Sequence, residues 1–157
     1  MMKTAIFVDV QNIYYTTRQA FGRQFNYRAF WQQISENHDI VLANAYAIQR
    51  SDDQQHKFQT ALKHIGFNVK LKPFIQRNDG SAKGDWDVGI TIDIMEAAQE
   101  VDKVILLSGD GDFELLLGHI HHKYGTTTEV FSVEQLTANG LIQIANSFKP
   151  INHELLL

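Results

Sequence analysis

Carboxylates fall at three places in the chain where their spacing could do chemistry. Asp9 closes the run Phe7-Val8-Asp9-Val10-Gln11-Asn12, Asp85 and Asp87 flank Trp86, and Asp110 and Asp112 alternate with glycine in Leu107-Ser108-Gly109-Asp110-Gly111-Asp112-Phe113. Taken singly, each has an ordinary use as a helix cap, worth about 1 kcal/mol over Ala, with roughly 0.3–1 kcal/mol more from the helix dipole in the first turn. One turn needs one cap, however, and the third group offers two carboxylates. Asp9 ends an apolar run, where an ionised group must be solvated, paired or bound to metal. If Asp9, Asp87, Asp110 and Asp112 converge, each pair about 4 Å apart costs roughly 4 kcal/mol at an effective dielectric of 20. A divalent cation or a raised pKa relieves that repulsion. With no cysteine in the chain and no histidine in these motifs, an oxygen-only donor set favours Mg²⁺ or Mn²⁺. Such an ion activates water and stabilises charge on a phosphodiester in transit.

The elements that must position these groups follow from hydrophobic patterning. Residues 4–9, 40–48, 103–107 and 127–131 are short apolar runs that read as buried strands. Residues 68–74 alternate Val69 and Leu71 with Lys70 and Lys72, which predicts a wetter face or a sheet edge. Residues 27–37, 54–65, 87–100 and 113–123 carry helical spacing. In the third of these, Ile90, Ile94, Ala97 and Val101 form an apolar stripe, and Asp93, Glu96 and Glu100 an acidic one. The strongest break is the loop 76–84, with the turn residues Asn78-Asp79-Gly80-Ser81. Alternation of helices with buried strands predicts an α/β fold, a mostly parallel sheet of five or six strands with helices on both faces. In such sheets ligands gather beyond the carboxyl ends of the strands, where strand order reverses. Asp9 ends the first strand and Asp110 follows the fourth.

At these residues the chain resembles the NYN-domain family, a branch of the PIN-like metal-dependent nucleases, and most closely its LabA-like members. The resemblance rests on FVDVQN near the start, KGDWDVGITID in the middle and LLSGDGDF later, in family order over residues 3–149. It implies a PIN-like, Rossmann-like domain over residues 1–157 with Asp9, Asp87, Asp110 and Asp112 as the acidic metal cluster, and RNA, single-stranded, as substrate. Asn12 would support that cluster, and Ser108, Arg18, Arg50 and Lys83 complete the expected substrate-binding set. Family members commonly carry Lys-Gly-x-Asp, whereas Gly84-Asp85-Trp86 separates Lys83 from Asp87 here. The register of Val88 and Asp93 assigns Asp87 to the cluster and leaves Asp85 as the helix cap. Asp93 matches the family pattern too, but six residues from Asp87 is about 240° around a helix, and its stripe reads mainly as a solvated face.

Other signals are weaker. Arg18 could reach a phosphate while Tyr14 or Tyr15 stacks on a base, a contact worth about 1–3 kcal/mol, or the tyrosines simply cover the sheet. His119 and His122 share a helix face but lack a third ligand, so they do not make a zinc site. The net charge of −4 argues mildly against coating nucleic acid by bulk charge. That average hides an asymmetry: residues 1–83 hold 11 Lys and Arg against 6 Asp and Glu, and residues 84–157 hold 3 against 12. At 157 residues one domain is expected, with no membrane span. The lack of cysteine excludes disulfides and thiol nucleophiles and fits a cytoplasmic protein.

Three functions compete. The first is an Mg²⁺- or Mn²⁺-dependent ribonuclease. The second is a non-catalytic module that keeps the acidic pocket and binds RNA or protein. The third, a haloacid-dehalogenase-like phosphatase with Asp9 as nucleophile, is weakened by Gln11, where that chemistry wants a second Asp. A homodimer could form through the helix of residues 113–120 or the Leu155-Leu156-Leu157 tail.

Overall fold

In the computed structural model, the described residues are 1–49, 52–73, 75–76, 82–83 and 85–157, with backbone alone at 75–76 and 82–83. The first strand, β1 (Met2–Asp9), holds Ala5, Ile6, Phe7 and Val8 wholly out of solvent. A strand apolar on successive residues must be covered on both faces, and it is. Ile6 and Val8 point into one core and Ala5 and Phe7 into the other.

Chain order then runs through α1 (Val10–Phe21), α2 (Tyr27–Ser35), β2 (His38–Gln49), α3 (Asp53–Ile65) and β3 (Asn68–Pro73). Two short strands, β4 (Ile75–Gln76) and β5 (Ala82–Lys83), pair antiparallel within the expected loop, whose turn residues 77–81 lie outside the described ones, as does Phe74. The second half comprises α4 (Asp87–Ala98), β6 (Lys103–Leu107), α5 (Glu114–Tyr124), β7 (Thr127–Ser132), α6 (Asn139–Ile144) and β8 (Ser147–Pro150). The main sheet has six strands in the order β3-β2-β1-β6-β7-β8, all parallel.

Helices α1, α2 and α3 cover one face through Ile13, Phe30, Ile34 and Leu62. Helices α4, α5 and α6 cover the other through Ile90, Ile94, Leu117, Ile120 and Leu141. Strand β8 and helix α6 escape sequence patterning because both are too brief to show a period, and β8 ends on Pro150, which suits an edge strand. Among the described residues no helix is long and apolar enough to cross a membrane. On the helix of residues 113–120 and in the C-terminal leucines, Leu116, Leu117, Ile120, Leu155 and Leu156 are buried, and Leu115 and Leu157 are exposed.

Two polar contacts tie the layers. Asp93 on α4 accepts hydrogen bonds from the Tyr46 hydroxyl and the Lys70 ammonium, both 2.7 Å, and Asn44 donates in turn to Tyr46 at 3.1 Å. Asp93 thus fastens α4 to β2 and β3 and faces away from solvent more than its stripe predicted. Burial works to raise its carboxyl, but the hydrogen bonds from Lys70 and Tyr46 and the charge of Lys70 together hold it below the usual range. On the other half of the sheet, Lys103 of β6, mostly covered, pairs with the buried Glu129 of β7.

Candidate functional site

The chain leaves β1 outward toward β2 and β3, and leaves β6 outward toward β7 and β8, so strand order reverses between β1 and β6. Their carboxyl ends open the crevice where ligands of such sheets bind. Asp9 ends β1 and caps α1 by accepting from the Asn12 N–H at 3.4 Å. Its other oxygen accepts from the hydroxyl of Ser108, which follows β6, at 3.1 Å. Asn12 reaches back across the crevice, where its side-chain oxygen accepts from the Gly109 N–H at 2.9 Å. Ser108 also accepts from the Asp110 N–H, and Asp110 from the Asp112 N–H, at 3.2 and 2.9 Å. This chain of bonds locks the two strand ends together and fixes the turn that carries Asp110 and Asp112.

From the opposite wall α4 brings in Asp87. One oxygen from each of Asp87, Asp110 and Asp112 lies within 4.8 Å of the other two. Asp9 lies outside this triad, with both oxygens engaged by Asn12 and Ser108. Asp85, exposed, is not in the triad either. It also does not cap α4. Trp86 occupies that position with no side-chain cap, and Asp85 accepts from the Asp87 N–H two residues on, at 3.2 Å.

The carboxylates feel one another. Burial first, then the charge and hydrogen bonding of Asp110, then Asp85 and Asp9, push the Asp87 carboxyl up to about 7. Burial dominates at Asp9, which is pushed up to about 6 despite its hydrogen bonds from Asn12 and Ser108. Oxygen-only donors that repel one another fit a divalent cation, and Asp87, Asp110 and Asp112 could hold one.

Linkage turns this into a prediction. A carboxyl whose folded pKa is raised is protonated in the folded state where the unfolded chain has already ionised, so stability is lost as pH climbs from the unfolded to the folded value. For Asp9 that window runs from 3.8 to about 6, and full ionisation costs about 3 kcal/mol. In EDTA the protein is therefore expected to be more stable to urea at pH 5 than at pH 7.5, with Mg²⁺ restoring stability at the higher pH. Asp9→Asn should lessen that loss and leave the part due to Asp87, whose carboxyl is raised to about 7. Metal-free stability that rises steadily between those pH values would contradict the electrostatic account.

Helix α4 is set in place by Trp86, whose indole N–H donates to the Ala47 carbonyl at 2.9 Å and whose ring packs edge-on against Tyr46 with centroids 5.4 Å apart. Lys72 lies over the same indole and donates to the Asp85 carbonyl at 3.0 Å. Sequence reasoning read Lys72 only as the wet face of a strand and gave Trp86 no role, because their partners lie on other elements. Gly89 is required by that anchor, since a Cβ there would stand 2.6 Å from the Trp86 ring. Gly89→Ala should displace the indole and, with it, Asp87. The expected loss is about 1–3 kcal/mol of stability from overpacking, read by urea unfolding, together with weakened divalent-metal affinity. The motif glycine Gly109 is likewise a packing requirement, since a Cβ there would stand only 2.7 Å from Ser132 Oγ.

Arg18 is exposed and donates to the Tyr14 hydroxyl at 2.5 Å, one helical turn along α1. Arg50 and the side chain of Lys83 lie outside the described residues. His119, His121 and His122 are exposed, and His121 hydrogen-bonds the Thr126 carbonyl.

Comparison with known proteins agrees with this architecture. The chain is 29% identical to the low amplitude and bright protein LabA of Synechococcus elongatus over 158 residues, covering 96% of this chain and 84% of that protein. A crystal structure of a protein of unknown function from Vibrio parahaemolyticus matches it with a TM-score of 0.95 at 50% identity, covering 99% of this chain and 96% of that one. The family model of the NYN domain matches residues 3–152, a span that holds the main sheet and all of the clustered carboxylates. By that match the chain belongs to the NYN domain family.

Proposed function

We propose that the protein is a ribonuclease that hydrolyses phosphodiester bonds of single-stranded RNA with the help of Mg²⁺ or Mn²⁺. The observation that carries this reading is the convergence of Asp87, Asp110 and Asp112 within 4.8 Å at the strand-order reversal of a parallel sheet. The same three residues would hold the ion. When bound, it supplies an activated water and stabilises charge on the phosphoryl group. The protein's own part is to place and orient. Asp9 and Ser108 brace the floor, and Asn12 fixes the Gly109 backbone. The Asn12 side-chain NH₂ makes no hydrogen bond to another described residue and is left to donate to a substrate oxygen. An acidic triad repels phosphate until its charge is offset, so RNA binding in the site and metal binding should be coupled.

Attack through Asp9 as a phosphatase nucleophile is less apt, since both its oxygens already accept hydrogen bonds. A chain without cysteine suits the reducing cytoplasm, where such an enzyme would work. The test is cleavage of labelled single-stranded RNA by the purified protein with Mn²⁺ or Mg²⁺, beside EDTA. Metal-dependent cleavage supports the reading. Intact RNA across diverse sequences, with metal binding confirmed separately, would replace it with the non-catalytic binding module.

A further inference from the structure

A cavity of about 440 Å³ opens beside the acidic site between α1, α2 and α3. Its position follows from register. Asp9 pairs with Tyr46 across β1 and β2, so Ala47 and Ile48, which line the cavity, stand one and two residues nearer the carboxyl edge of the sheet. Gln11, another lining residue, is two residues beyond Asp9 in the chain, so their Cα atoms lie within about 7.6 Å. The cavity therefore adjoins Asp9, which Ser108 ties to the turn that carries Asp110.

The lining has a consistent chemistry. Among the described residues none of it is charged, which does not suit a phosphate. Tyr14, Tyr27 and Phe58 supply flat apolar walls, and Gln11 and Gln55 supply neutral carboxamides. Those amides make no side-chain hydrogen bond to another described residue. Tyr27 is only 8% exposed, and its hydroxyl also has no described partner. Tyr27 lines the cavity. The charge of Asp9 reaches the Tyr27 hydroxyl, adding to the burial that raises its pKa. At the rim, the Tyr14 hydroxyl is held by Arg18.

Flat walls with amide and hydroxyl groups at their edge are what an unstacked nucleobase requires: stacking on its faces and hydrogen bonds to its edge. The volume lies in the lower part of the usual range for small-ligand sites, roughly 300–1,000 Å³, which suits one nucleoside.

We propose that this cavity binds a single nucleobase of the RNA strand, next to the phosphodiester presented to the acidic triad. The proposal rests on the RNA-cleaving reading above, and its test is separable from it because binding is measured without catalysis. A fluorescein-labelled short oligoribonucleotide, and copies with one abasic nucleotide stepped along the strand, are titrated with protein in Ca²⁺, a hard cation that offsets the charge of the triad, and followed by anisotropy, with each RNA recovered intact at the end. Intact RNA should bind about tenfold tighter than the copy abasic at one position, the size of a base-stacking contact. Tyr27→Phe and the double variant Gln11→Ala/Gln55→Ala should each narrow that gap by weakening intact RNA alone. Equal binding of intact and abasic RNA, no binding of either, or variants that weaken both equally would overturn the pocket. Base-dependent binding without cleavage in Mn²⁺ would keep the pocket and remove the nuclease. Cleavage with no base dependence would do the reverse.

Discussion

Asp110→Asn is expected to cut metal-dependent RNA cleavage at least roughly 100-fold, a loss in keeping with several kcal/mol of charge stabilisation at a metal centre. Asn is nearly isosteric and keeps an oxygen to accept from the Asp112 N–H, the bond that shapes the turn at 2.9 Å. What it removes is one of three negative charges within 4.8 Å. The same change relieves Asp87, whose carboxyl the charge and hydrogen bonding of Asp110 help to push up to about 7. The variant should therefore be as stable as the parent protein, or more so, in EDTA at pH 7.5. Lost activity with kept or gained stability is the signature of a group placed for function at a cost to folding. Cleavage at the parent rate would remove Asp110 from the site. Loss of activity and stability together would make it a structural residue.

The second large effect lies at the far end of the sheet. Lys103 and Glu129 pair between β6 and β7 with side chains only 13% and 5% exposed, and Lys103 Nζ also lies 3.1 Å from His38 Nε2. Lys103→Met leaves the Glu129 carboxylate buried without its counter-ion, which typically costs about 3–5 kcal/mol. That is a large share of a domain's stability of about 5–15 kcal/mol. The double variant Lys103→Met/Glu129→Leu removes both charges and should recover most of the loss, because replacing a buried pair by apolar groups is often neutral. Urea unfolding of the two single variants and the double variant measures this directly. Additive losses would mean that each side chain matters for packing and not for the pair. Metal binding by the folded single variant should be unchanged, since Lys103 begins β6 and Ser108 follows its other end.

How far the sequence could be read differs between neighbouring residues. Asp9 is the helix cap that its place at a strand end allows, but it stands outside the group of Asp87, Asp110 and Asp112 that the motifs predict it to join, because Asn12 and Ser108 engage its oxygens. Asp87 separated from Asp85 by register, and the structure places Asp87 in the triad. Asp85 does not cap the helix, because the helix begins one residue too late for its side chain to reach beyond Asp87. Asp93 looked like a solvated face by helical spacing, yet it is bonded to Tyr46 and Lys70 from strands that lie 47 and 23 residues away. Helical period reports the angle of a side chain about its own axis and carries no information about which strand lies opposite.

Local chemistry thus sufficed for the apolar strands, the amphipathic helices, the Asp-rich turns and the alternation that makes a parallel sheet. Those features depend on residues a few positions apart, through backbone sterics, hydrophobic period and side-chain caps. The order of the strands, the neighbours of each carboxylate, the Trp86 anchor, the Lys103–Glu129 pair and the cavity beside α1 were decided by tertiary packing alone. Asp9 meets Ser108 across 99 residues and Asn12 meets Gly109 across 97. Contacts of that span are selected by the whole sheet closing around its two cores, since only then do burial and charge repulsion act on the carboxylates together.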